Sequence, residues 1–257
     1  SHFTRPAAQE VTQASLHTLM ALVGKSLLSR GEGDRFQIHE LLRQYSAEKL
    51  ADLGDDLLQS THATYSAYYC RRIAEQYPRL KGYHQIEALS DIEVDLLNVR
   101  AAWLWVVQHQ DKDLLWQALP SLSLFFHMRN RYHECIELLQ LALNSLGQPE
   151  TKLHASLLIR LGRMVASIGD RPTALQHLER GLGIAERLGE TILHIEALLE
   201  LSTVHNWMGN FQELEKCVRV CFEHLQAIDD PQLSAFSLRM FAIVSNNKGD
   251  YAAEAQF

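Results

Sequence analysis

Along most of the chain the apolar residues recur at spacings of three and four, the period of an amphipathic helix. In one stretch they are Leu157, Leu158, Leu161, Val165 and Ile168, then Leu175, Leu178, Leu182 and Ala185. In the next they are Leu198, Leu199, Leu201 and Val204, then Phe211, Leu214, Val218 and Cys221. A short polar break splits each stretch. The breaks Gly169-Asp170, Gly209-Asn210 and Gly249-Asp250 lie 40 residues apart, and Arg129-Asn130 stands one step earlier with Asn kept in its column. Gly adopts the left-handed conformation at a helix end without a Cβ penalty. Asp or Asn beside it accepts from the free N–H groups of the next helix. Each unit therefore predicts a helical hairpin. A hairpin of this kind cannot bury its apolar faces alone and stacks on its neighbours as a solenoid.

The first 53 residues follow another pattern. Phe3 to Ser26 holds two short helical patterns, the second carrying Leu16, Leu19, Met20, Leu22 and Val23. Ser26–Arg30 and Arg35–His39 flank the turn Gly31-Glu32-Gly33-Asp34 and predict a β-hairpin. A helix follows from Glu40 to Leu53, with Leu41, Leu42, Tyr45 and Leu50 on its apolar side. Two helices, a hairpin and a helix predict a winged-helix domain over residues 1–53. Residues 54–114 read as a helical linker or bundle, and 115–257 as repeats whose last unit stops at Phe257, inside its second helix. The expected fold is mainly α, with a TPR-like α-α superhelix after the winged helix, and the array is expected to continue past Phe257.

Composition narrows this picture. The chain has 42 Leu among 257 residues with 6 Pro and 13 Gly, which favours helices because straight-chain residues lose little rotamer freedom there. Apolar residues at 47% and charged ones at 21% exclude a disordered tail and a disulfide-stapled miniature. Against 31 acids stand 24 Lys and Arg, which argues against a general nucleic-acid binder. The four cysteines form no CxxC pair, pointing to a reducing, cytoplasmic setting. The apolar run Ala101–Val107 is far short of the roughly 18 residues a membrane span needs. The N-terminus lacks a signal peptide's apolar region and a Met, so the chain is read as a piece of a longer protein.

Two resemblances follow from particular residues. Leu158, Leu161, Gly162, Ala174 and Leu178 match the signature columns of the tetratricopeptide repeat (TPR). The family's small packing position is Gly162, Ser202 and Ala242 in successive units, and its aromatic position is Phe211 and Tyr251. The units depart from the family in length, 40 residues instead of about 34, and Leu214 and Glu254 replace the small residue Ala174 occupies. The run Leu22-Val23-Gly24-Lys25-Ser26-Leu27-Leu28 with Phe36-Gln37-Ile38-His39-Glu40-Leu41-Leu42-Arg43-Gln44-Tyr45 resembles the winged-helix end of STAND-type regulators. These are the NB-ARC and AP-ATPase relatives of NLR receptors. Asp95-Leu96-Leu97-Asn98-Val99-Arg100-Ala101-Ala102-Trp103 is similar to the helix leading into their repeats, and Arg131–Leu139 to their first repeat turn. The resemblance implies a signalling regulator whose repeats bind an inducer, whether protein, peptide or small molecule. Its winged helix would couple to a nucleotide-binding core that this chain lacks. It also implies ADP or ATP for the full-length protein, no cofactor for this piece, and oligomerisation on activation.

The resemblance makes His39 the candidate nucleotide sensor, in Ile38-His39-Glu40 where the family has Met-His-Asp. The alternative is that His39 closes the wing against the helix. In a TPR solenoid the first helix of each hairpin lines the concave face. Those columns here give Arg163, Thr203, Asn206, Trp207, Arg239, Asn246 and Asn247, with Arg160 beside them. Arginines bind carboxylates bidentately and amides pair with a peptide backbone, so this face is the candidate ligand or peptide site. Gly24-Lys25-Ser26 fails as a P-loop because Leu19 stands where the first glycine is required. Cys217, Cys221 and His224 share a helix face, but packing explains them better than a metal. Trp103, Trp105 and Trp116 read as core. No metalloprotease or nucleophile-elbow motif is present, and no enzyme reading has support. Two other functions stay open: an autonomous TPR scaffold binding peptides or proteins, and a winged-helix DNA-binding regulator.

Overall fold

In the computed structural model, residues 2–31, 33–148, 150–225 and 231–248 are described. The turn Gly249-Asp250, with Tyr251, Glu254 and Phe257, lies outside them. The described residues are mainly helical, with one small three-stranded sheet. Two compact units divide after Arg129.

The first unit opens on strand β1 (His2–Thr4) and helices α1 (Arg5–Thr12) and α2 (Leu16–Gly24). Thr4 caps α1 by accepting from Ala7 N, and Ser15 caps α2 by accepting from Thr18 N. Strands β2 (Ser29–Arg30) and β3 (Arg35–Gln37) form the expected hairpin, and β1 pairs antiparallel on the other side of β3. The hydrophobic pattern had not revealed β1. Three residues are too few to show alternation, and its partner lies more than thirty residues on. The pairing sets Phe3 opposite Phe36, their rings stacked at 5.9 Å, over a core of Ala8, Leu19, Leu28 and Phe36.

Helix α3 (Glu40–Asp52) forms where expected, but none of its residues is buried. Leu41 and Tyr45, read as part of its apolar side, are 69% and 57% exposed. It lies against α4 (Asp55–Ala74). That helix packs with α5 (Tyr77–Lys81), α6 (Gln85–Gln108) and α7 (Lys112–Met128) into a bundle around Ile73, Leu80, Trp103, Leu115 and Leu119. The boundary read at 114 falls inside α7.

The second unit is a run of helical hairpins: α8 (Tyr132–Leu146), α9 (Lys152–Ser167), α10 (Arg171–Leu188), α11 (Thr191–Met208), α12 (Phe211–Leu225) and α13 (Pro231–Lys248). Gly169 and Gly209 take φ of +94° and +73°, as their column requires. Asp170 caps α10, accepting from Thr173 N at 3.2 Å. At the earlier break Arg129 keeps φ −87° and Asn130 is the left-handed residue, at +55°. Gly189, at +68°, marks the half-period between Gly169 and Gly209.

Two glycines interlock α9 and α10. A Cβ on Gly162 would lie 2.6 Å from Leu178 Cγ, and one on Gly181 would lie 2.9 Å from Ile159 Cγ1. Helices α9 and α11 also touch directly, as do α11 and α13, whereas α8, α10 and α12 have no comparable contact with one another among the described residues. First helices that meet while second helices splay make an inner layer of α9, α11 and α13 and an outer layer of α8, α10 and α12.

Candidate functional site

On α11, Glu196, Glu200, Thr203 and Trp207 recur at four, three and four, which places them on one face of the helix. Across from them on α9 stand Arg160 and Arg163. Arg160 Nη2 lies 3.6 Å from Glu196 Oε2, and Arg163 Nη1 lies 3.2 Å from Glu200 Oε1. The arginines expected to hold a ligand carboxylate thus face carboxylates of the next hairpin. Arg160 Nε is buried without a partner. Burial pushes the Glu200 carboxyl above its ordinary value, with Arg163 opposing it most and Arg160 and Arg239 adding to that opposition. Two arginines of α9 therefore face two glutamates of α11, an inner-layer ladder.

The other expected residues spread around this ladder. Thr203 Oγ1 donates back to Leu199 O at 3.0 Å, so its hydroxyl is engaged within the helix. Trp207 is 46% exposed two turns beyond Glu200, and Asn206 beside it is half-buried. The Arg239 guanidinium stacks over the Phe236 ring at 4.8 Å. Asn246 is exposed, while Asn247 lines a cavity of about 180 Å³ with Phe211, Gln212 and Glu215 between α12 and α13.

Sequence reasoning missed Glu196 and Glu200. Their signal was the i, i+4 carboxylate pair on the stripe of Thr203 and Trp207, which apolar periodicity passes over.

In the first unit, His39 is exposed and serves as the N-cap of α3, its Nδ1 accepting from Leu41 N at 3.3 Å. An accepting Nδ1 leaves the ring proton on Nε2, a free donor. Glu40 turns back on Arg43 at 2.6 Å, and that hydrogen bond holds its carboxyl down at about 2. Helix α6 has a positioning role. Asp95 on α6 is buried and takes Arg35 of β3 at 2.7 Å and Arg72 of α4 at 3.5 Å. Asn98, one turn on, donates to His2 O at 2.8 Å and accepts from the Tyr65 hydroxyl at 3.1 Å. Asp95 and Asn98 thereby clamp the small sheet onto the bundle.

Gly24 ends α2, and Lys25 and Ser26 turn away after it, the reverse of a phosphate loop that opens a helix. Cys221 is buried in the core between α11 and α13, its thiol pushed up by burial to about 12, and Cys217 is raised to about 11. Among the described residues no group of three or more His, Cys, Asp or Glu is placed to hold a metal ion. Among them, too, no helix is long and apolar enough to cross a membrane.

These features define a mainly helical protein with a small three-stranded sheet and a run of stacked helical hairpins. No family model matches the chain, and no curated protein does. Among solved structures it is similar to a Signal Transduction ATPase with Numerous Domains (STAND) protein with a tetratricopeptide repeat sensor from Pyrococcus horikoshii. Identity is 12% and the TM-score 0.49, over 99% of this chain and 40% of that one. The chain thus spans less than half the length of that neighbour.

Proposed function

We propose that this chain is the ligand-sensing and protein-interaction part of a STAND-type signalling regulator. Its hairpins form a TPR-like array that takes an inducer on the inner layer. Residues 1–53 act as a winged helix coupling that event to a nucleotide-binding core. The observation that carries the reading is the ladder itself: Arg160–Glu196 and Arg163–Glu200 each join consecutive hairpins. An acidic inducer group competes with Glu200 for Arg163, so binding alters how α9 and α11 stack. A sensor needs such a differential interaction between two conformations. The uncovered Leu41 and Tyr45 of α3 support a further domain packing there, and the Nε2 donor of His39 suits a phosphate oxygen of ADP.

Replacing Trp207 and Arg239 with Ala in the full-length regulator tests this. The inducer response is lost while the helical circular dichroism and melting curve are kept. An unchanged response with the fold intact rejects the inner layer as the inducer site. In the same protein His39→Ala raises basal activity and speeds ADP loss. Unchanged ADP retention leaves His39 as the cap of α3 alone.

A further inference from the structure

The splay of the outer layer opens a cavity of about 480 Å³ between α8 and α10, floored by α9. That volume falls within the range of small-molecule sites. His154 of α9 lines it, 2% exposed, and both ring nitrogens are shielded from solvent without a hydrogen-bond partner. Buried polar groups are nearly always paired, so an orphaned imidazole on a cavity wall calls for a ligand. Opposite, on α10, His177 and Arg180 line the same space from one helix face. Among the described residues Arg180 makes no ion pair. Gln140 and Asn144, one turn apart on α8, supply the third wall with two amides.

We propose that this cavity binds a small organic or inorganic anion, its carboxylate or phosphate group on Arg180 and its hydrogen-bonding groups on His154, His177 and the α8 amides. Burial, and then the nearby Arg180 charge, lowers the pKa of both histidines, with Asp170 opposing at His177. Each imidazole is therefore neutral at pH 7 and offers one donor and one acceptor. All three side chains line the one cavity. The site is lined by α8, α9 and α10 and shares no lining residue with the ladder, so the inference does not rest on the proposed inducer face.

Imidazole ¹⁵N spectra of the 257-residue chain, titrated with citrate or with inorganic phosphate at constant ionic strength, test the proposal, with glucose as the neutral control. One anion shifts the His154 and His177 resonances together and saturably, and which anion does so tells carboxylate from phosphate. Arg180 is exposed, so Arg180→Gln keeps the fold, and it weakens this binding at least tenfold. The proposal is overturned if neither anion shifts both resonances. It is also overturned if glucose does so equally, or if the Arg180→Gln variant titrates like the wild type.

Discussion

Between α9 and α11 of the array Glu200 faces Arg163 at 3.2 Å; among α8, α9 and α10 His154 is buried beside an open cavity, both its ring nitrogens without a hydrogen-bond partner. Helices α9 and α10, one from each layer, are interlocked through Gly162 and Gly181. Where helices of successive hairpins meet, their polar side chains satisfy one another. Where helices splay, polar side chains are left around an open space. The repeat geometry thus sorts its polar residues into internal fasteners and candidate contacts, a distinction invisible in residue type alone.

The largest expected effect breaks both layers at once. Leu178 is fully buried against Gly162, and Leu178→Ala costs about 2–5 kcal/mol in urea unfolding. Gly162→Ala alone costs about 1–3 kcal/mol by overpacking. In the Leu178→Ala background it costs much less, because the two Leu178 atoms it strikes are gone and only the 3.1 Å approach to Ala174 O is left. An additive double variant contradicts the interlock.

Breaking the inner layer alone is milder. Arg163→Ala leaves Glu200 with weaker partners. Its expected cost is about 1–2 kcal/mol, between the values for exposed and buried ion pairs, because the Arg163 side chain is 33% exposed. Adding Glu200→Gln restores part of that loss, since no buried charge then remains unpaired.

The two sites also titrate with opposite sign. The raised pKa of Glu200 means that its ionisation in the folded state is unfavourable. Its contribution is full below the ordinary value of 4.5 and is lost as pH rises through the raised one. The lowered pKa values of His154 and His177 give a contribution present above 6.5 and lost as pH falls through the folded values. Urea midpoints against pH therefore steepen toward acid in Glu200→Gln and flatten in His154→Asn/His177→Asn. The smallest effect is at the exposed Glu150–Arg187 pair, 2.7 Å apart: Arg187→Ala leaves the midpoint unchanged within error.

What could be read in the sequence follows the range of the interactions. Gly169, Gly209 and Asp170 act on their immediate neighbours, so the turns and hairpins were legible. Gly162 against Ala174 and Leu178 was legible because the hairpin repeats. Strand β1 was not, because its stability comes from β3 and from Asn98 far along the chain. The exposure of α3 was not legible either: its apolar spacing tells which side is apolar, and says nothing of whether anything covers it. Arg160 and Arg163 were read as cations for a ligand, and the structure sets them against glutamates. Their carboxylates lie on the next hairpin, and the i, i+4 spacing of Glu196 and Glu200 marks a shared helix face without telling what it meets. His154 and His177 come together only when α9 and α10 fold, so scattered histidines concealed a cluster.

Under the proposed reading, in which a full-length regulator holds ADP, the rate of ADP release tests the central claim most directly. Arg160→Ala/Arg163→Ala, which unfastens α9 from α11, is expected to release ADP faster than the wild type, while Arg180→Gln on the outer layer releases it at the wild-type rate. Equal release from all three proteins, with their folds intact, would contradict the account.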